Sequence, residues 1–262
     1  MTTPTIQVVC GDVASVGISM TPKLIIADPP YNLGMAYDAY EDKRPLAAYL
    51  AWTRQWLSRM SEIAHPHASL WVFMSALLTS EVDVIAKSLG WRQRATVCWY
   101  YTFGNNTPKN FTPSHTNILY YTKHKTKFTF NADAIKVPSA RQAKYKDKRA
   151  KAGGRLPDDT WILFPEQLPD GFDPAGDVWL QSRVCGTFKA REAVSPNQLP
   201  LPIVQRIIRV CSDEGDPVLD PFCGTGTTAV ACQQLSRECW TCDISEACVT
   251  ATQSRLQIGA VK

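Results

Sequence analysis

Long apolar runs are missing from this sequence. No stretch approaches the roughly 18 consecutive apolar residues that a membrane-crossing helix needs, so no membrane partner is expected. The opening residues Met1-Thr2-Thr3-Pro4 lack the basic-then-apolar order of a secretion signal. Cysteine is present without a pairing pattern. Its nine residues are an odd number at irregular spacing, which argues against a disulfide framework and for a reducing, cytoplasmic setting. Histidine is scarce. Of the four, His65 and His67 flank Pro66 in a turn, and His115 and His124 sit beside a basic stretch; none is assigned a role. Internal repeats and low-complexity tracts are absent, which leaves one large domain or one domain with an insertion.

What is present is an ordinary 45% hydrophobic content over 262 residues, enough for a full core. The net charge of +4 is unevenly spread. Between Lys123 and Arg155 stand eleven Lys or Arg and two acids, a local net of +9, so the remainder carries −5. A mildly acidic body with one basic segment suggests a polyanion partner, nucleic acid above all. The bland alternative is a solvated loop.

Strand and helix patterns alternate. Ile6 to Val9 and Leu24 to Ala27 read as short strands. Apolar residues from Leu46 to Ile63 recur at helical spacing. Ser69 to Met74 reads as a buried strand, and 79–89 as a helix ended by Gly90. Residues 92–103 and 116–122 read as two strands joined by a polar turn. Periodicity fails from about 131 to 195 and returns in a helix after Pro200, a strand entering Asp220, a helix over 226–236, a strand through Asp243 and a last helix from Ser245. Such alternation implies a layered, mostly parallel α/β sheet. The pair near 92–122 suggests one antiparallel strand at an edge.

Two motifs sit where strands end. Asp28-Pro29-Pro30-Tyr31 follows the apolar run Leu24 to Ala27, and ligands of open α/β sheets lie at carboxyl strand ends. The two prolines fix φ and remove two backbone donors, leaving carbonyls outward. A fixed carboxylate, a free carbonyl and a ring suit a planar base bearing an amino group. The second motif is Asp220-Pro221-Phe222-Cys223-Gly224-Thr225-Gly226-Thr227-Thr228. Gly224 and Gly226 allow close backbone approach to a ligand, and Cys223 reads as packing. No Walker lysine follows, and the third glycine of the dinucleotide fingerprint is missing. Asp243, at the next strand end, is placed either for a ribose diol or to cap the helix at Ser245. Cys239 and Cys242 have metal-like spacing, but two further ligands would be needed and core thiols are the expectation, so no metal is assigned.

Together these residues resemble the β group of S-adenosylmethionine-dependent amino DNA methyltransferases, which act on adenine N6 or cytosine N4. The marks are Asp28 to Tyr31 first, Phe222 to Gly226 last, and the basic segment between. Gly11-Asp12, Asp220-Pro221, Thr227-Thr228 and Pro196-Asn197-Gln198-Leu199-Pro200 also fit, although many relatives have His-Pro-x-Gln-Lys-Pro where this chain has Ser195 and Leu199. The resemblance implies a Rossmann-like fold with a seven-stranded sheet and permuted motif order. It implies a catalytic half (1–130), a target-recognition insertion (131–195) and a cofactor-binding half (196–262). Asp12, Asn197, Gln198, Asp220, Pro221, Phe222, Cys223, Gly224, Gly226, Thr227, Thr228 and Asp243 are then cofactor residues, and Asp28, Pro29, Pro30 and Tyr31 catalytic ones. Arg141, Lys144, Lys146, Lys148, Arg149, Lys151 and Arg155 are expected to contact double-stranded DNA. Base-edge readers come from Arg141, Gln142, Arg155, Gln181 and Arg183.

By this resemblance a rotated-out base would give its amine to the Asp28 carboxylate and the Pro29 carbonyl, while Tyr31 stacks on it. Asp at position 28 favours adenine, since cytosine-acting relatives more often carry Ser. The alternatives are cytosine N4, a protein glutamine methyltransferase, and a DNA-binding protein without turnover. The cysteine nucleophile that methylates cytosine carbon usually stands in a Pro-Cys pair, and the sequence holds none. A homodimer, a cognate restriction endonuclease and a nucleoid-associated cytoplasmic location accompany the resemblance.

Overall fold

The computed structural model describes residues 4–100, 108–137, 145–149, 153–161 and 197–260. Among these residues eight strands form one sheet: β1 (Ile6–Cys10), β2 (Leu24–Ala27), β3 (Ser69–Met74), β4 (Arg92–Tyr100), β5 (His115–Thr122), β6 (Thr160–Trp161), β7 (Pro217–Asp220) and β8 (Glu238–Asp243), in the order β1-β8-β7-β2-β3-β5-β4-β6. The helices are α1 (Leu46–Ile63), α2 (Thr79–Ser88), α3 (Leu201–Cys211), α4 (Thr227–Gln234) and α5 (Glu246–Ala260). Among the described residues no helix is long and apolar enough to cross a membrane.

The strands are apolar because both sheet faces are covered. In β2, Leu24 and Ile26 pack into one core layer while Ile25 and Ala27 pack into the other. In β3, Trp71 and Phe73 join the first layer, and Leu70, Val72 and Met74 the second. Helices α3 and α4 cover the first face through Ile203, Ile207, Ala229 and Ala231. Helices α1 and α2 cover the second through Trp56, Leu57, Met60, Val82 and Ile85. Each such Val, Leu, Ile, Phe or Met side chain, fully buried, contributes about 1.5–3 kcal/mol.

The α/β sheet is mostly parallel, as expected, with two differences in detail. The antiparallel strand β5 is interior, paired with β3 on one side and β4 on the other. The connection from β3 through α2 leaves one strand position open, and β5 returns to fill it. The edge beyond β4 is taken by β6, two residues that pair parallel to Cys98 and Trp99. Pairing also interleaves the sequence halves, since β1 lies against β8 and β2 against β7. Residues 162–196, most of the expected recognition insertion, lie outside the described residues.

Candidate active site

The sheet has one point that its connections leave in opposite directions. From β7 the chain crosses through α4, on the first face, to β8. From β2 it crosses through α1, on the second face, to β3. Strands β7 and β2 are parallel neighbours, so a crevice opens between their carboxyl ends, where open α/β sheets place ligands. The cleft found there is lined by Asp12, Asp28 to Tyr31, Tyr37 to Tyr40, Arg44, Trp52, Asn197 to Leu199, Asp220 to Thr225, Thr227, Thr228 and Asp243 to Ser245, among others. It holds about 1260 Å³ of empty space including its open mouth, room for a nucleoside-sized ligand. Both sequence motifs, 192 positions apart from Asp28 to Asp220, therefore face one cavity.

The first motif is held from behind. The Tyr49 hydroxyl donates to the Pro30 carbonyl at 2.9 Å, whereas the Pro29 carbonyl has no hydrogen-bond donor among the described residues. The Tyr31 hydroxyl donates to Asp28 Oδ1 at 2.6 Å, and the Tyr31 ring packs on both core layers.

The second motif surrounds two buried carboxylates. Asp220 is 5% exposed and accepts the Phe222 N–H at 3.0 Å. Burial pushes its carboxyl up to about 7, and the charges of Asp28 and Asp243 add to this, against the hydrogen bonds from Thr228 and Phe222. Asp243 accepts from Gly224 N–H and Ser245 N–H, each at 2.9 Å. It thus holds the glycine loop and the start of α5 while facing the cleft. Burial raises its carboxyl as well. Gly226, expected to let a ligand approach, is not among the lining residues. A Cβ there would stand 2.5 Å from Thr252 Cγ2 at a φ of +78°, so this glycine serves the packing of the loop on α5. Cys239 belongs to one core layer and Cys242 to the other, so the two thiols point to opposite faces and cannot share a metal.

A third wall was not anticipated from sequence. Residues 32–44 form a strap. The Asp42 carboxylate, 3% exposed, accepts the N–H groups of Asn32, Leu33 and Met35 at 2.7, 3.1 and 3.0 Å. Asn32, at φ +60°, exchanges hydrogen bonds with the Arg44 backbone at 2.9 and 2.7 Å. The strap then reaches across the cleft. The Ser245 hydroxyl donates to Asp38 Oδ2 at 2.6 Å, and Tyr37 hydrogen-bonds the Asn197 side chain. Burial, and then the Asp28 charge, raises the Tyr37 hydroxyl pKa. The polar cluster Asn32, Asp38 and Asp42 directly after the first motif was the only signal available in sequence.

Comparison with known proteins fits this geometry. The pattern of the N6/N4 family described as DNA methylase matches residues 23–254. The chain belongs to this family. It is 33% identical over 234 residues to the type II methyltransferase M.HpaI of Haemophilus parainfluenzae, covering 89% of this chain and 67% of the relative. It is 30% identical to the type II methyltransferase M.BglII of Bacillus subtilis, covering 82% and 58%. It is 28% identical to the DNA adenine methyltransferase YhdJ of Escherichia coli, covering 78% and 66%. The chain thus spans about three fifths to two thirds of the length of these relatives. Among solved structures, the cytosine-N4-specific PvuII DNA methyltransferase superposes with a TM-score of 0.67 at 13% identity, over 97% of this chain and 87% of that one.

In this DNA methylase the described residues of the basic stretch stand apart from the cleft. Arg141, Lys144 and Lys151 lie outside the described residues. Lys146, Lys148, Arg149 and Arg155 are exposed, and none lines the cleft. Arg149 makes a two-toothed pair with Asp147 at 3.0 and 3.1 Å, and Arg155 pairs with Asp158. Two of the expected phosphate contacts thus already hold a carboxylate.

Proposed function

We propose that this protein transfers a methyl group from S-adenosylmethionine to the N6 amine of adenine in double-stranded DNA, acting on a base rotated out of the stack. The observation that carries the reading is the meeting of Asp28 to Tyr31 with the Asp220 to Thr228 loop in one cleft. The lining fits the cofactor. Five aspartates, Asp12, Asp28, Asp38, Asp220 and Asp243, face the space, and carboxylates favour a sulfonium cation. Asp243 stands at a strand end suited to a ribose diol, and Asn197, Gln198, Gly224, Thr227 and Thr228 would complete the cradle. S-adenosylmethionine supplies the electrophilic methyl group.

The chain's own groups then prepare the amine. An exocyclic amine is a poor nucleophile while its lone pair is delocalised into the ring. Hydrogen bonds from it to the Asp28 carboxylate and the Pro29 carbonyl favour a more tetrahedral nitrogen and free that lone pair. The Tyr31 ring stacks on the base, worth about 1–3 kcal/mol. No covalent intermediate forms, so positioning supplies much of the acceleration.

The recognition role belongs in this reading to 131–195, the catalytic and cofactor roles to 1–130 and 196–262. A homodimer, a cognate restriction endonuclease and a nucleoid-associated cytoplasmic location are proposed along with it. The cytosine N4 amine is the second reading, since the same acceptors would hold it; Asp at position 28 favours adenine. Incubating the protein with DNA and methyl-labelled cofactor, then digesting to nucleosides for mass measurement, decides. N6-methyladenine is expected, with transfer falling to background in Asp28→Ala. N4-methylcytosine would establish the second reading, and wild-type rates in Asp28→Ala would overturn the mechanism.

A further inference from the structure

Arg44 is the one cation among the described residues that line the cleft, against five carboxylates. It pairs with none of them: no ion pair among the described residues involves it. Its guanidinium lies instead over the Tyr40 ring, 4.2 Å from the centroid, and 5.8 Å from that of Trp52. Its backbone is clipped to Asn32, the residue after the first motif, by hydrogen bonds in both directions. A guanidinium laid on ring faces keeps its N–H donors at the rim, in the fork that fits a planar anion. A cation held in place among carboxylates, yet bonded to none, points to an anionic group on the ligand.

Its position indicates which anion. Trp52 lies 5.7 Å from Phe222, which opens the glycine loop, so Arg44 stands beside the cofactor side of the cleft. The lining residues from the segment before α3, Asn197, Gln198 and Leu199, bring no charge. S-adenosylmethionine carries a single anionic group, the carboxylate of its methionine part. We propose that Arg44 binds that carboxylate, an inference that rests on the cofactor reading above. The cleft then sorts the ligand's charges, with carboxylates for the sulfonium and ammonium and one guanidinium for the carboxylate.

The test compares two probes, S-adenosylmethionine and its decarboxylated analogue, by titration calorimetry on the full chain without DNA. The wild-type protein is expected to prefer the carboxylate form by about 10- to 100-fold, the worth of a charge-assisted hydrogen bond. Arg44→Gln should lose that preference by weakening the first probe alone, and Arg44→Lys should keep part of it. Thermal melting of both variants checks that the fold persists. A preference unchanged in Arg44→Gln would overturn the proposal and leave the carboxylate to the amide groups at the start of α4. Equal weakening of both probes would overturn it in favour of a packing role. Unchanged binding of both probes in Arg44→Gln, with weakened DNA binding in a separate fluorescence-anisotropy titration, would overturn it in favour of a phosphate contact. A wild-type protein that binds neither probe would instead bring down the cofactor reading itself.

Discussion

The Tyr31 hydroxyl donates to the Asp28 carboxylate across 2.6 Å. It occupies an acceptor that the proposed substrate amine would use, so it holds the amine's place until a base enters. Tyr31→Phe keeps the ring and removes the placeholder. Its kcat is expected to stay within about threefold, with KM for DNA equal or lower. Tyr31→Ala removes the stacking surface and should cost about 5- to 150-fold in kcat/KM, the equivalent of 1–3 kcal/mol. A loss in Tyr31→Phe as large as in Tyr31→Ala would assign the work to the hydroxyl.

Asp220 gives the fold a pH dependence of known sign. Its carboxyl rises from 3.8 to about 7, mainly through burial. Between those values the unfolded chain has released this proton and the folded one still holds it. Stability therefore falls as pH rises through that window, and the loss is complete above it. Asp220→Asn removes the titrating group. The stability of the variant relative to wild type, read from urea midpoints, is expected to rise by roughly 2–3 kcal/mol from about pH 5 to pH 8. A constant gap would show that Asp220 is ionised throughout.

The strand ends were legible because buried parallel strands are continuous apolar runs, and Leu24 to Ala27 and Ser69 to Met74 stand out as such. The acids at the ends of β2, β7 and β8, namely Asp28, Asp220 and Asp243, mark the cleft. The strap was not legible. Tyr37, Asp38 and Arg44 lie in a segment without periodicity, and the partner of Asp38, Ser245, is 207 residues away. The place of β5 between β3 and β4 was hidden for a similar reason, since a hairpin pattern gives the pairing of two strands and not the side on which a third one lies. Gly226 read as a ligand-facing glycine because a sequence gives the residue and not its neighbour Thr252.

Ser245 has two tasks that substitution can separate. Its hydroxyl accepts from Cys248 N–H at 3.1 Å, a helix cap for α5, and donates to Asp38. Ser245→Ala loses both and should cost about 1 kcal/mol of stability, as caps do. Asp38→Ala loses only the tie to the strap. Its melting temperature should stay near wild type while the cofactor dissociation rate, followed by stopped flow, rises several-fold. An Asp38→Ala protein with unchanged dissociation would mean that the strap does not retain the ligand.

The basic stretch makes unequal predictions residue by residue. Lys144, Lys146 and Lys148 are offered as phosphate contacts, and neutralising all three should reduce the salt slope of DNA binding by about 3. Arg149 is engaged by Asp147, so Arg149→Gln should change the slope by less than one unit. Asp147→Asn frees that guanidinium and is expected to tighten DNA binding at low salt. An unaltered slope in the triple lysine variant would move the footprint to another surface.

The two glycines of the loop separate folding from binding. Both have positive φ, +49° at Gly224 and +78° at Gly226, so a Cβ at either costs about 1–2 kcal/mol in backbone strain. Their surroundings differ. A Cβ on Gly224 meets nothing within 4 Å and stands on the cleft wall, in the space a bound cofactor would fill. A Cβ on Gly226 runs into Thr252 on α5, adding about 1–3 kcal/mol of overpacking. Gly224→Ala should therefore melt slightly early and bind cofactor weakly. Gly226→Ala should melt much earlier, and Thr252→Ser, which removes the Cγ2 methyl, should restore part of the loss. Rescue by that second substitution is the decisive reading, because a glycine kept for ligand access would gain nothing from a change on the far side of the loop.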